Sequence, residues 1–140
     1  MAERYVLDTS AIFTFTDWED GANEVERLLD AAQAQACHLY VCAISLMEIY
    51  YITMREQQED EAARLVAWVK SWPVVWVYAD EKTLLYAAKL KASHRLSVAD
   101  ALIAAVAVLH RATLVHKDPE FEALAPLIPL LSLPFKTTPG

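Results

Sequence analysis

Short runs of β-branched, aromatic and aliphatic residues recur along this chain, and between them lie stretches long enough for helices. Tyr5-Val6-Leu7, His38 to Cys42, Val74 to Tyr78 and Thr113-Leu114-Val115 are such runs, and Ile128 to Leu133 is a last extended stretch. The intervening segments carry a different spacing. Thr9 and Ser10 offer a helix start before Ala11-Ile12-Phe13, and Asn23 to Ala36 sets Val25, Leu28, Leu29 and Ala32 on one face with acids on the other. Ser45 opens a helix through Met47, Ile49, Tyr50 and Ile52; an acidic turn, Glu56 to Glu61, separates it from a helix carrying Leu65, Val66, Trp68 and Val69. Pro73 ends that helix, Asp80 begins another, and Ser97 to His110 is apolar enough to be buried on most sides. Asp118-Pro119 starts a short final helix. Strands separated by helices pair through crossovers, which makes parallel neighbours. The expected fold class is therefore α/β, with a central, mostly parallel sheet of four to five strands covered on both faces.

The chain has 140 residues, the size of one domain, with no internal repeat and no dividing linker. Residues 1–135 are expected to form it, with 136–140 as a flexible tail. No charged segment followed by a long apolar stretch opens the sequence, so no signal peptide is expected. The longest apolar run, Ala101 to Leu109, falls well short of the ~20 residues of a membrane span. The two cysteines, Cys37 and Cys42, flank or sit within one short strand, where buried thiols are a better reading than a disulfide. Together these point to a cytoplasmic domain with no membrane partner.

Charge is distributed unevenly. Residues 1–61 hold 13 acids against three arginines, whereas residues 62–140 hold nine Lys or Arg against six acids. The net charge of −7 thus hides a basic second half, in which Lys82, Lys89, Lys91 and Arg95 gather on one helix. Nucleic-acid ligands usually call for basic surface. A solvated helix face explains the same cluster, so charge neither requires nor excludes RNA.

In open parallel sheets, ligands bind at the carboxyl ends of the strands near a switch in strand order. Asp8 ends the first predicted strand and Asp118 lies three residues past the fourth; Glu48 and Asp100 fall in the first turns of two helices. Each has an ordinary explanation. Ser45-Leu46-Met47-Glu48 and Ser97-Val98-Ala99-Asp100 have capping-box spacing, Asp118 before Pro119 is a natural N-cap, and Asp8 can cap the helix after it. The combination says more. Carboxylates among apolar neighbours, as in Val6-Leu7-Asp8 and Ala99-Asp100-Ala101-Leu102, are costly to bury unless paired or bound to a cation. Several converging would repel one another, and a hard divalent ion such as Mg²⁺ or Mn²⁺ relieves that repulsion. The chemistry that follows is phosphodiester hydrolysis assisted by metal.

At this point the residues resemble a known family, the PIN-domain nucleases, and within it the VapC-type toxins of bacterial and archaeal toxin–antitoxin pairs. Four segments carry the resemblance: Val6-Leu7-Asp8-Thr9-Ser10-Ala11, Ile44-Ser45-Leu46-Met47-Glu48-Ile49, the run from Leu96 to Ala105 around Asp100, and Leu114-Val115-His116-Lys117-Asp118-Pro119-Glu120-Phe121. The resemblance implies a PIN-like three-layer α/β/α sandwich and a metal-dependent endoribonuclease, with Asp8, Glu48, Asp100 and Asp118 as its acidic, metal-holding site. It also implies an RNA substrate, a homodimer, and inhibition by a small antitoxin inserting into the toxin's groove. One position departs: the family often has Thr or Ser two residues before the fourth acid, where this chain has His116. That residue is either a hydrogen-bonded structural histidine or a phosphate contact.

Other classes fit less well. A phosphoryl-accepting receiver domain needs an acid pair before its strand-end Asp, and only Glu3 precedes Asp8. Haloacid-dehalogenase-type phosphatases need a second Asp where Ser10 stands. With glycine only at 21 and 140, no phosphate-cradling glycine loop can form. A PIN-like module that only binds, and a PIN ribonuclease of RNA maturation without an antitoxin, stay open. Substrate specificity is expected in the loops around Asp17 to Gly21 and Gln57 to Asp60. Tyr50, Tyr51 and Trp68 are candidates for burial against a partner chain.

Overall fold

The computed structural model describes residues 2–135. In chain order the elements are β1 (Glu3–Leu7), α1 (Thr9–Thr16), α2 (Ala22–Gln33), β2 (Cys37–Cys42), α3 (Ile44–Glu56), α4 (Glu59–Lys70), β3 (Val75–Val77), α5 (Glu81–Ser93), α6 (Val98–Leu109), β4 (Thr113–His116), a 3₁₀ turn (Pro119–Leu124) and β5 (Leu130–Ser132). The five strands form one sheet in the order β3-β2-β1-β4-β5. Every pairing is parallel. This is the α/β sandwich expected, and each predicted strand is present.

Alternation along the strands splits the core in two. Val6, Cys42 and Leu114 face α5 and α6, packing with Ile103, Val106 and Leu90. Leu7, Leu39, Val41 and Val115 face the other way, toward Ile12, Val25, Ile49 and Val69. Adjacent residues such as Val6 and Leu7 thus feed opposite layers, as a sheet buried on both faces requires. Cys37 and Cys42 stand at the two ends of β2 as buried free thiols, on opposite faces of the sheet.

Two local expectations are corrected. The acidic segment Glu56 to Glu61 is not a turn throughout. The chain turns only at Gln57 and Gln58, and Glu59, Asp60 and Glu61 form the first turn of α4, where the positive end of the helix dipole favours them. Arg95 does not share a helix with Lys82, Lys89 and Lys91, because α5 ends at Ser93. Residues 136–140, expected as a tail, lie outside the described residues. Among the described residues no single helix is long and apolar enough to cross a membrane.

Strands β1, β2 and β3 proceed outward on one side of β1, whereas β4 and β5 lie on its other side. The strand order therefore reverses between β1 and β4. Asp8 follows the first of these strands and Asp118 the second.

Candidate active site

Asp8 is held from several directions. Its backbone N–H donates to Val115 O (3.1 Å), tying the end of β1 to β4. Its side chain caps α1, accepting from Ala11 N (2.7 Å) and from Ser10 Oγ (2.7 and 2.8 Å). The residue is only 3% exposed. Burial pushes its carboxyl up to about 7, the negative charges of Asp100 and Asp118 add to the rise, and the Ser10 and Ala11 hydrogen bonds oppose it. Capping and clustering thus coexist at this residue.

Asp100 stands in the first turn of α6, its N–H donating to the capping Ser97 Oγ (3.1 Å). Burial raises its carboxyl to about 6, and repulsion from Asp118, Glu48 and Glu120 contributes. Asp118 caps the 3₁₀ turn, its Oδ1 accepting from Glu120 N (3.0 Å). Glu48 behaves differently from the capping-box reading. Helix α3 begins at Ile44 after Ala43 and has no side-chain cap, so Ser45 is already inside the helix. Glu48 Oε1 instead accepts from Thr9 Oγ1 (2.6 Å), which also bonds Ser45 Oγ (2.8 Å).

Oxygens of Asp100, Asp118 and Glu120 lie within 4.8 Å of one another. Asp8 and Glu48 stand outside this group of three but are coupled to it electrostatically. Sequence spacing alone does not single out Glu120, which the structure adds to the group. An acid in the first turn after Asp118-Pro119 looks like ordinary helix-end chemistry, and only the tight 3₁₀ turn brings it back to its neighbours.

The sequence matches the profile of the PIN domain over residues 5–126. This chain belongs to the PIN-domain family. The PIN fold is shared with a VapBC2 complex from Rickettsia felis bound to a promoter DNA fragment, at 19% identity over 94% of this chain and 99% of that one, with a TM-score of 0.74. It is shared equally with a DNA-bound VapBC from Salmonella typhimurium (20% identity, 94% and 98% coverage, TM-score 0.73). VapC20 of Mycobacterium tuberculosis, described as a sarcin-ricin loop cleaving toxin, is a third (17%, 89% and 96%, 0.69). No curated protein sequence matches the chain.

Beside the acids, this PIN domain has an open cavity of about 460 Å³ lined by Ser10, Phe13, Asp17, Glu56, Asp118 and Phe135 among others. Its rim comes in part from the loop after α1, one of the two regions read as specificity loops. Lys117 also lines it, with Nζ 2.9 Å from Asp20 O and 3.4 Å from a Glu19 carboxylate oxygen. That lysine braces the loop against the end of β4. His116 is fully buried, in keeping with the structural reading and not with a phosphate contact.

Proposed function

We propose that this PIN domain is a metal-dependent endoribonuclease, and that it serves as the toxin of a toxin–antitoxin pair restrained by a small antitoxin. The observation that carries the reading is the convergence of Asp100, Asp118 and Glu120 at the reversal in strand order, with buried Asp8 feeling the charges of Asp100 and Asp118 and Glu48 that of Asp100. The donor set suits Mg²⁺ or Mn²⁺, because it offers hard carboxylate oxygens and neither sulfur nor imidazole. Buried carboxyls whose charged forms are disfavoured are also the groups a cation would relieve. Asp8, Glu48, Asp100 and Asp118, with Glu120 as an added candidate, would hold it. A divalent ion, when bound, supplies the Lewis acidity that phosphodiester hydrolysis needs.

The rest of the work falls to the chain. Ser10 fixes the Asp8 carboxylate while accepting from Lys117 N (2.9 Å), so one hydroxyl locks two sides of the site together. Thr9 orients Glu48 from the same helix start. The apolar and aromatic walls of the cavity, Phe13 and Phe135, offer a place for a base beside the scissile phosphate.

The toxin role draws on the likeness to VapBC complexes, in which toxin and antitoxin are solved together. It also draws on exposed apolar side chains, Met47, Tyr51 and Met54 on α3 and Trp68 on α4, which stay open in the isolated chain. Tyr50 is less open and donates to Glu59 (2.9 Å). A homodimer is part of the same reading.

The test is cleavage of total RNA with end mapping, by wild type and by Asp8→Asn and Asp100→Asn. Discrete cuts that need Mg²⁺ or Mn²⁺, stop with chelator and vanish in both variants are expected. Full cleavage by folded variants would leave these acids as helix caps alone.

A further inference from the structure

His116 is the last residue of β4 and is 0% exposed. Its ring lies between the 3₁₀ turn and β5, edge-on to Phe121 with centroids 5.2 Å apart. Asp118 N–H donates to His116 Nδ1 at 3.1 Å. A ring nitrogen that accepts carries no proton, so the hydrogen of the neutral imidazole sits on Nε2. That nitrogen faces Ser132 Oγ at 3.2 Å, with a Glu122 carboxylate oxygen 3.5 Å away. The Ser132 hydroxyl in turn donates to Glu122. A continuous path of hydrogen bonds therefore runs from the edge strand β5 through the ring to the backbone of Asp118.

This path has a consequence for the acids. The Asp118 nitrogen is bonded directly to the Cα that carries the side chain, and the same residue's Oδ1 is pinned by Glu120 N (3.0 Å). With the amide fixed at one end and Oδ1 at the other, the remaining oxygen has little freedom. We propose that His116 is a positioning residue, whose Nδ1 fixes the Asp118 backbone so that its carboxylate points at Asp100 and Glu120. The inference rests on the metal reading of those acids, and its geometry stands on the buried ring alone. A histidine that merely fills space between Phe121 and β5 would need no acceptor toward Asp118.

Three variants separate the two roles. His116→Asn keeps an acceptor at the position of Nδ1, His116→Gln keeps a polar group toward Ser132 but none toward Asp118, and His116→Phe keeps the ring and its volume without either. Two readouts are used on the full chain: exchange of the Asp118 amide by NMR without metal, and Mn²⁺ affinity by calorimetry. Protection of the Asp118 amide in wild type and His116→Asn, and its loss in the Gln and Phe variants, is expected. Mn²⁺ affinity should fall by about 10-fold or more in Gln and Phe, the scale of losing a group that orients a ligand, and recover in Asn. Equal Mn²⁺ affinity in wild type and a folded Phe variant would overturn the proposal. So would a Gln variant that binds as well as Asn, a comparison that holds even if Phe fails to fold. A wild-type chain that binds no Mn²⁺ would defeat the metal reading instead, and amide exchange would still decide whether His116 holds Asp118.

Discussion

Asp8 is a carboxyl group doing two jobs with opposite electrostatic costs. As the cap of α1 it accepts two hydrogen bonds that favour its charged form, but burial and the neighbouring acids disfavour that form more strongly, leaving it at about 7 against an ordinary value of 3.8. In the unfolded chain the group ionises near its ordinary value, whereas the folded, metal-free protein keeps its proton until about 7. Its contribution to stability is fully present below about pH 4 and is lost as pH rises through about 7. Asp100, raised to about 6, acts with the same sign. The thermal midpoint of metal-free protein should therefore fall from acid to neutral pH, by an amount equivalent to on the order of a few kcal/mol. Asp8→Asn should flatten that fall and raise the midpoint near pH 8. A profile unchanged by the substitution would show that Asp8 is not strained. Asp8, Asp100 and Asp118 were legible in sequence because each follows a strand or begins a helix. The capping-box spacing marks Glu48 as an acid near a helix start but gives it the wrong partner, since the N-cap falls two residues earlier, at Ala43, and Ser45 lies inside α3. Glu120 was hidden because a 3₁₀ turn and an α-turn read alike from Asp-Pro-x-Phe spacing.

At the level of elements, the site is a meeting of helix starts. Asp8 caps α1 and Asp100 lies in the first turn of α6, whereas Glu48, expected in a first turn, lies just past that of α3; the segment after β4 brings two more acids. Ser10 joins the first of these to the last. Ser10→Ala should remove both its hydrogen bonds and leave the Lys117 N–H without its acceptor, a loss of about 1–3 kcal/mol in chemical denaturation. No change in midpoint would mean that water replaces the hydroxyl without cost. The loop leading into α2 depends on Gly21, with φ of +100° and a hypothetical Cβ at 3.0 Å from Pro134 Cδ and 3.3 Å from Leu133 Cβ. Gly21→Ala is expected to cost roughly 1–2 kcal/mol or more, and a neutral effect would contradict that tight approach. Strands and helices were readable from apolar period and from Pro73, Asp80 and Ser97. The start of α4 was not, because acids that favour a helix N-terminus also favour turns.

For the whole molecule, the parallel order β3-β2-β1-β4-β5 concentrates acids at one end of the sheet and leaves apolar side chains on the outer helices. Sequence alone carried the parallel architecture, since strands separated by helices have few other arrangements. It did not carry which apolar residues stay outside, because Trp68 and Val69 are adjacent and only the helix's rotation buries one and exposes the other. Under the proposed toxin role, the exposed side chains of α3 and α4 receive an antitoxin, and the double substitution Met47→Asp and Trp68→Asp should abolish binding of a candidate antitoxin in a pull-down while leaving circular dichroism intact. Undiminished binding would move the contact elsewhere. Under the proposed function the repelling carboxylates are completed by a divalent ion, and the thermal midpoint near pH 8 with and without Mn²⁺ at constant ionic strength tests this. Mn²⁺ should raise the wild-type midpoint by several degrees, as a ligand bound only by the folded chain does, and should raise that of Asp100→Asn much less. An equal shift in both proteins, or none in either, would mean that these acids hold no divalent ion.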